Sequence, residues 1–144
     1  MRLHSVAALV FAGAIIILAG CGGPAGAVTA PPYPFTVQRA SVSGNTSFTG
    51  VCPTTVNFTG TILAWGSGMA TYVWERSDGQ QSEPQALTCV DSGTPPGTVV
   101  TTCQAAYYTV RVTSSGSAWV RFHVTAPIDL RSVEMNYTTI CTPR

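Results

Sequence analysis

Between Phe35 and Cys141 apolar residues do not recur at i, i+3, i+4 and i+7 for as much as three helical turns. They alternate instead with polar residues at period two, the spacing that sends successive side chains to opposite faces of a strand. Thr54 to Ala64 sets Val56, Phe58 and Ile62 against Asn57, Thr59 and Thr61. Ala70 to Ser77 sets Tyr72 and Trp74 against Val73 and Glu75, and Ala118 to Thr125 sets Val120, Phe122 and Val124 against Trp119, Arg121 and His123. Ser132 to Cys141 sets Val133, Met135 and Tyr137 against Glu134, Asn136 and Thr138. Turn chemistry separates these runs at Gly66-Ser-Gly68, Asp78-Gly79, Ser114-Ser-Gly116 and Ala126-Pro-Ile-Asp129. With Phe35 to Ser43 and two strands around Cys89 and Cys103, about seven strands are predicted, an all-β antiparallel sandwich. Thr98 to Val112 has no clear face, because Val99, Val100, Tyr107 and Tyr108 occupy both parities.

The N-terminus breaks this pattern. Arg2 precedes the apolar run of 14 residues from Val6 to Ala19, too short for the ~20 that cross a bilayer but fitting a signal-peptide core. Leu18-Ala19-Gly20-Cys21, at the end of that run, resembles the lipobox of bacterial lipoproteins. The resemblance implies cleavage after residue 20, acylation of the Cys21 thiol with fatty chains such as palmitate, and anchorage on the extracytoplasmic face of the cell membrane. Two or more chains hold stably where one is marginal. Residues 22 to 34, GGPAGAVTAPPYP, read as a flexible tether with a reach of roughly 20 Å. The expected organisation is a leader over 1–20, a lipidated cysteine and tether over 21–34, and one domain over 35–144.

Composition narrows the partners. The seven basic residues are all arginine, and without the leader six arginines face six acids, so no basic footprint for nucleic acid exists. The positive mean hydropathy, +0.25, comes largely from the leader and does not signal a multi-span membrane protein.

With Cys21 assigned to lipid, Cys52, Cys89, Cys103 and Cys141 remain, an even set in an exported domain, which suggests two disulfides with three possible pairings. Gln85 to Val90 and Thr98 to Gln104 flank the turn-rich stretch 91–97 and read as a hairpin. Symmetry about Pro96 then sets Cys89 opposite Cys103, at the ~4.5 Å separation of a directly opposed pair. Cys52 and Cys141 are left to join the two ends of the domain. No CxxC or HxxxH spacing suggests a metal site.

Cys52-Pro-Thr-Thr-Val-Asn-Phe-Thr-Gly-Thr-Ile62, Tyr72-Val-Trp-Glu-Arg-Ser-Asp-Gly79, Trp119-Val-Arg-Phe-His-Val124 and Tyr137-Thr-Thr-Ile-Cys141 together resemble the immunoglobulin-like modules of exported actinobacterial and related bacterial proteins. That resemblance implies a sandwich clamped by Cys52 and Cys141 and a non-catalytic accessory or interaction role. The Cys89 and Cys103 pair is an addition to it, and the resemblance carries fold rather than a defined activity.

Candidate chemistry is sparse. His123 alone could serve a histidine-dependent centre in the mature chain, and its strand parity predicts a solvated side chain. There is no GxSxG elbow for a Ser, His, Asp129 triad and no phosphate loop. Glu75, Asp78 and Glu83 cluster at a hairpin, where Glu75 and Asp78 are expected to flank a type I′ turn. Neither enzyme nor cofactor nor metal is indicated. Trp74 is expected in the core, whereas Trp65, Trp119, Tyr107 and Tyr108 are candidate ligand contacts if exposed on one surface. Two functions fit these observations. One is a lipid-anchored structural or protein-interaction module; the other is an envelope binding protein for a glycan or a small apolar ligand.

Overall fold

The computed structural model describes residues 34–91, 93 and 100–143. The expected leader, the lipidation site Cys21, most of the tether and the turn around Pro96 lie outside the described residues.

The described chain is all strand and turn. Ten strands are β1 (Thr36–Gly44), β2 (Ser47–Val51), β3 (Thr54–Trp65), β4 (Gly68–Arg76), β5 (Gln85–Cys89), β6 (Thr101–Gln104), β7 (Tyr108–Val112), β8 (Gly116–Ala126), β9 (Leu130–Arg131) and β10 (Met135–Thr142). They form a sandwich of two sheets. In the first, β3 pairs with β1 on one side and with β6 and β7 on the other. The second runs β2-β10-β8-β4-β5, with β9 added against β8. All pairings are antiparallel except β2 with β10, which is parallel.

The expected seven strands become ten because two of the ladders are interrupted, which adds β7 and β9, and because β2 is a further short strand. β6 pairs with Thr61–Ala64 and β7 with Thr54–Phe58, so the two continue one another along the same edge of β3. Between them Ala105 turns inward and donates its N–H to the Gly60 carbonyl at 2.9 Å, while Tyr107 stands exposed. The inward parity shifts from Cys103 and Ala105 to Val110 and Val112. This break is the cause of the two-faced pattern over Thr98 to Val112: the sequence carries two frames because the strand does. β9 and β10 divide the edge of β8 in the same way, with Ser132 donating its N–H to the Phe122 carbonyl at 2.9 Å between them. Val133 falls in that gap and is 82% exposed, so it does not share the inward face of Met135 and Tyr137 as its parity predicts. β2 is short and polar, SFTGV, and carries too little alternation to be read as a strand.

The expected hairpin around Pro96 is overturned. β5 pairs with β4 in the second sheet, and β6 pairs with β3 in the first. Cys89 and Cys103 are nevertheless joined, with Cα atoms 5.4 Å apart, so the bond crosses the core and ties one sheet to the other. Cys52 follows β2 where the chain passes between sheets and is joined to Cys141 of β10, again at 5.4 Å. The turn between β4 and β5 also differs. Gly79 donates to the Arg76 carbonyl at 3.0 Å, Arg76 donates to the Gln80 carbonyl at 3.0 Å, and Gly79 has φ +79°. That is a three-residue loop with glycine in the left-handed position, in place of a two-residue type I′ turn.

The core follows the alternation. Phe58, Ile62 and Ala64 of β3 meet Tyr72 and Trp74 of β4 and Val120, Phe122 and Val124 of β8, all at 2% exposure or less. Trp74 stacks on Tyr108 with centroids 4.9 Å apart and tilts against Phe122 at 5.1 Å. Gly60 lies directly over Phe122, and a Cβ there would run into the ring. Glycine is thus the residue that lets the two sheets approach at this point.

Candidate functional site

The outward face of the second sheet is where the fold departs furthest from simple alternation. Glu75 of β4 stands directly across from Arg121 of β8, and Val73 across from His123. Outward parity should leave these residues in water, yet Val73, Glu75 and His123 are buried, at 6%, 5% and 6% exposure. His123 is therefore not the solvated side chain its strand position predicts. The cover over this face comes from outside β4 and β8: Asp129 in the turn after β8 reaches His123, and Arg131 of β9 and Gln81 after the β4 hairpin reach Glu75.

The polar groups close on one another. Nδ1 of His123 lies 2.7 Å from Oε1 of Glu75, and Nε2 lies 2.9 Å from Oδ1 of Asp129. Carboxylate oxygens only accept, so both contacts act as hydrogen bonds only when both ring nitrogens carry a proton. Arg121 donates to Oε2 of Glu75 through Nε at 2.7 Å, its Nη2 forms an ion pair with the same oxygen at 2.6 Å, and its Nη1 reaches Glu134 at 3.5 Å. Arg131 donates to Asp129 at 2.8 Å and to Oε1 of Glu75 at 3.4 Å, where Gln81 also donates at 3.4 Å. Burial by itself would push the Glu75 carboxyl up, but the bonds and charge of Arg121, and then of His123, more than offset it and hold the group below its ordinary range. Among the described residues, buried side-chain nitrogen and oxygen atoms all have partners. What this arrangement can do chemically is fix charges in place, since both nitrogens of His123 are occupied by carboxylates and neither faces a hydroxyl nucleophile.

Next to this network lies a cleft of about 200 Å³ bounded by Glu75, Arg76, Gly79, Gln80, Gln81, Trp119 and Arg121. Trp119 forms one wall, half-buried, with the Arg121 guanidinium 5.3 Å from its ring centroid. A second cleft of about 320 Å³ opens at the end of the sandwich, among Arg76, the loop 113–116 and Tyr137. Burial pushes the Tyr137 hydroxyl above the ordinary phenol range, with the Arg76 charge opposing.

The four aromatic candidates do not converge. Trp65 ends β3 with outward parity on the first sheet, whereas Trp119 is on the outward face of the second, so the sandwich separates them. Tyr108 points into the core against Trp74, and Tyr107 stands 78% exposed at the break before β7. Trp119 borders a cleft lined by polar side chains. Sequence reasoning missed the Glu75, His123 and Asp129 contacts. A signal was available: Glu75 and Arg121 are complementary charges on the outward parity of two strands that alternate alike, but deciding that those strands are neighbours requires the topology.

Among the described residues no group of three or more His, Cys, Asp or Glu side chains is placed so that it could hold a metal ion. No protein-family model and no curated protein matches the sequence. Among solved structures the chain is similar to the CARDB domain of a Pyrococcus furiosus protein, crystallised in complex with di-metal ions. That likeness has a TM-score of 0.48 and 10% identity, and it covers 77% of this chain and 96% of that one. A likeness that distant carries nothing about a site or a ligand. The sandwich is established by the chain's own two sheets.

Proposed function

We propose that this chain is a lipoprotein anchored through acylated Cys21 to the extracytoplasmic face of a membrane, presenting a non-catalytic immunoglobulin-like domain as a structural or protein-interaction module. Leu18-Ala19-Gly20-Cys21 behind its apolar run supports the anchor. The observation that carries the non-catalytic reading is the double engagement of His123: the one histidine available for proton transfer after the leader is held by Glu75 and Asp129. The role is then one of rigid presentation, with two cysteine pairs fixing sheet to sheet and corner to final strand.

Labelled palmitate and membrane fractionation test the anchor. The native chain takes up label and fractionates with membranes; Cys21→Ser neither takes up label nor is processed. Incorporation that survives this substitution overturns the proposal. For the non-catalytic reading, His123→Gln in a chain that still folds leaves any envelope phenotype intact, and loss of that phenotype at unchanged melting temperature overturns it.

A further inference from the structure

We propose that the cleft beside Trp119 is a carbohydrate site that takes a single neutral pyranose ring of an envelope polysaccharide. This goes beyond the module reading and does not depend on the lipid anchor. Ligand pockets for drug-sized molecules occupy ~300–1,000 Å³, so a cleft of about 200 Å³ suits one ring rather than an extended ligand.

A pyranose offers an apolar C–H face and a rim of hydroxyls that both donate and accept. The cleft supplies the counterparts. Trp119 gives the apolar wall: the Arg121 guanidinium lies over its ring, 5.3 Å from the centroid, and the ring surface it leaves uncovered is what meets the sugar. Gln81 commits one amide N–H to Glu75 and keeps its carbonyl and its second N–H, and Gln80 uses its carbonyl for Arg76 at 3.3 Å and keeps its NH₂ group. Amides that keep both donors and acceptors match sugar hydroxyls, which need both.

The charges bordering the cleft are already answered, and this selects a neutral ring. Oε2 of Glu75 accepts a bond from Nε of Arg121 and is paired with its Nη2, and Oε1 faces His123, Gln81 and Arg131. Arg76 is paired with Asp78 at 2.6 Å. Neither a free carboxylate nor an unanswered guanidinium is left to demand a charged ligand. The two walls are fixed to each other as well: Ser77 donates its N–H to the Trp119 carbonyl at 3.1 Å, tying the hairpin to β8. A site already held in shape loses little entropy on binding.

The test is a titration of the full chain, in zwitterionic detergent, with cellotriose, maltotriose, mannotriose and tri-galacturonate, read by tryptophan fluorescence and by ligand-observed NMR. At least one neutral trisaccharide is expected to bind in the millimolar range or tighter. Trp119→Ala weakens it by about tenfold or more, Gln81→Ala weakens it less, and Trp65→Ala leaves it unchanged. Melting curves of each variant separate loss of binding from loss of fold, and if Trp119→Ala does not fold, Trp119→Phe and Gln80→Ala carry the test. The Cys21→Ser chain binds as the native chain does, so failure of the anchor and failure of the site are read separately. No binding of any neutral trisaccharide up to ~10 mM, about 2.7 kcal/mol, overturns the proposal. So does binding that Trp119→Ala leaves intact, or binding of tri-galacturonate alone.

Discussion

Glu75 and His123, 48 positions apart in the chain, meet at 2.7 Å on the outward face of the second sheet. Their strands are adjacent, with Glu75 directly across from Arg121 and one diagonal step from His123. Cross-strand pairs of this kind are the unit of sheet stabilisation, and here the turn after β8 folds back over them. The result is a buried, mutually satisfied charge network where parity alone calls for solvated side chains.

Removing His123 should therefore matter to stability. His123→Ala leaves the buried Glu75 oxygen without its shortest partner and should cost about 1–3 kcal/mol in urea unfolding. A double-mutant cycle with Glu75→Gln should give a coupling energy of at least ~0.5 kcal/mol, whereas Arg111→Ala, on the exposed face of the first sheet, changes stability by less than that.

Acid should weaken the fold through Glu75. Its carboxyl is held below the ordinary 4.5, so the folded state binds that proton less readily than the unfolded chain. The stabilisation is fully present above the unfolded value and is lost as pH falls through the folded one. Melting temperatures measured from neutral into the acid range should fall more gently in Glu75→Gln than in the native chain, after allowance for the lower starting stability of the variant.

Trp74 is the largest fully buried side chain, stacked on Tyr108 and packed on Phe122. Trp74→Ala should cost ~3–5 kcal/mol and quench much of the near-ultraviolet circular dichroism.

Gly60→Ala places a methyl group against the Phe122 ring. Because both sheets are pinned by the core around that point, the expected cost is ~1–3 kcal/mol, and it should shrink when combined with Phe122→Leu. Equal costs in the native and Phe122→Leu backgrounds would count against a clash with this ring.

Breaking the Cys52 to Cys141 bond frees a separation of 89 residues, and breaking Cys89 to Cys103 frees 14. Loop entropy assigns them ~4.6 and ~3 kcal/mol. Paired Cys→Ala variants should accordingly melt in that order, the Cys52 and Cys141 variant lower.

Local alternation determined much of this protein. It placed β1, β3, β4, β5, β8 and β10 close to their observed limits, assigned Tyr72, Trp74, Phe58, Phe122 and Val124 to one interior, and identified a sandwich, because a strand's side-chain period is set by its own backbone. Pairing is not set locally. Symmetry about Pro96 brought Cys89 to Cys103 within one hairpin, whereas the strands that carry them belong to different sheets. The same limit applies to His123. Parity states which side of a sheet a residue occupies, but whether that side is wet depends on what returns to cover it. The returning residues, Asp129, Arg131 and Gln81, lie outside the strand carrying His123, and their approach is decided by where turns and ladder breaks aim the chain. Tertiary structure alone also placed Trp65 and Trp119 on opposite faces, since each sheet conceals one face and the sequence does not say which sheets face each other.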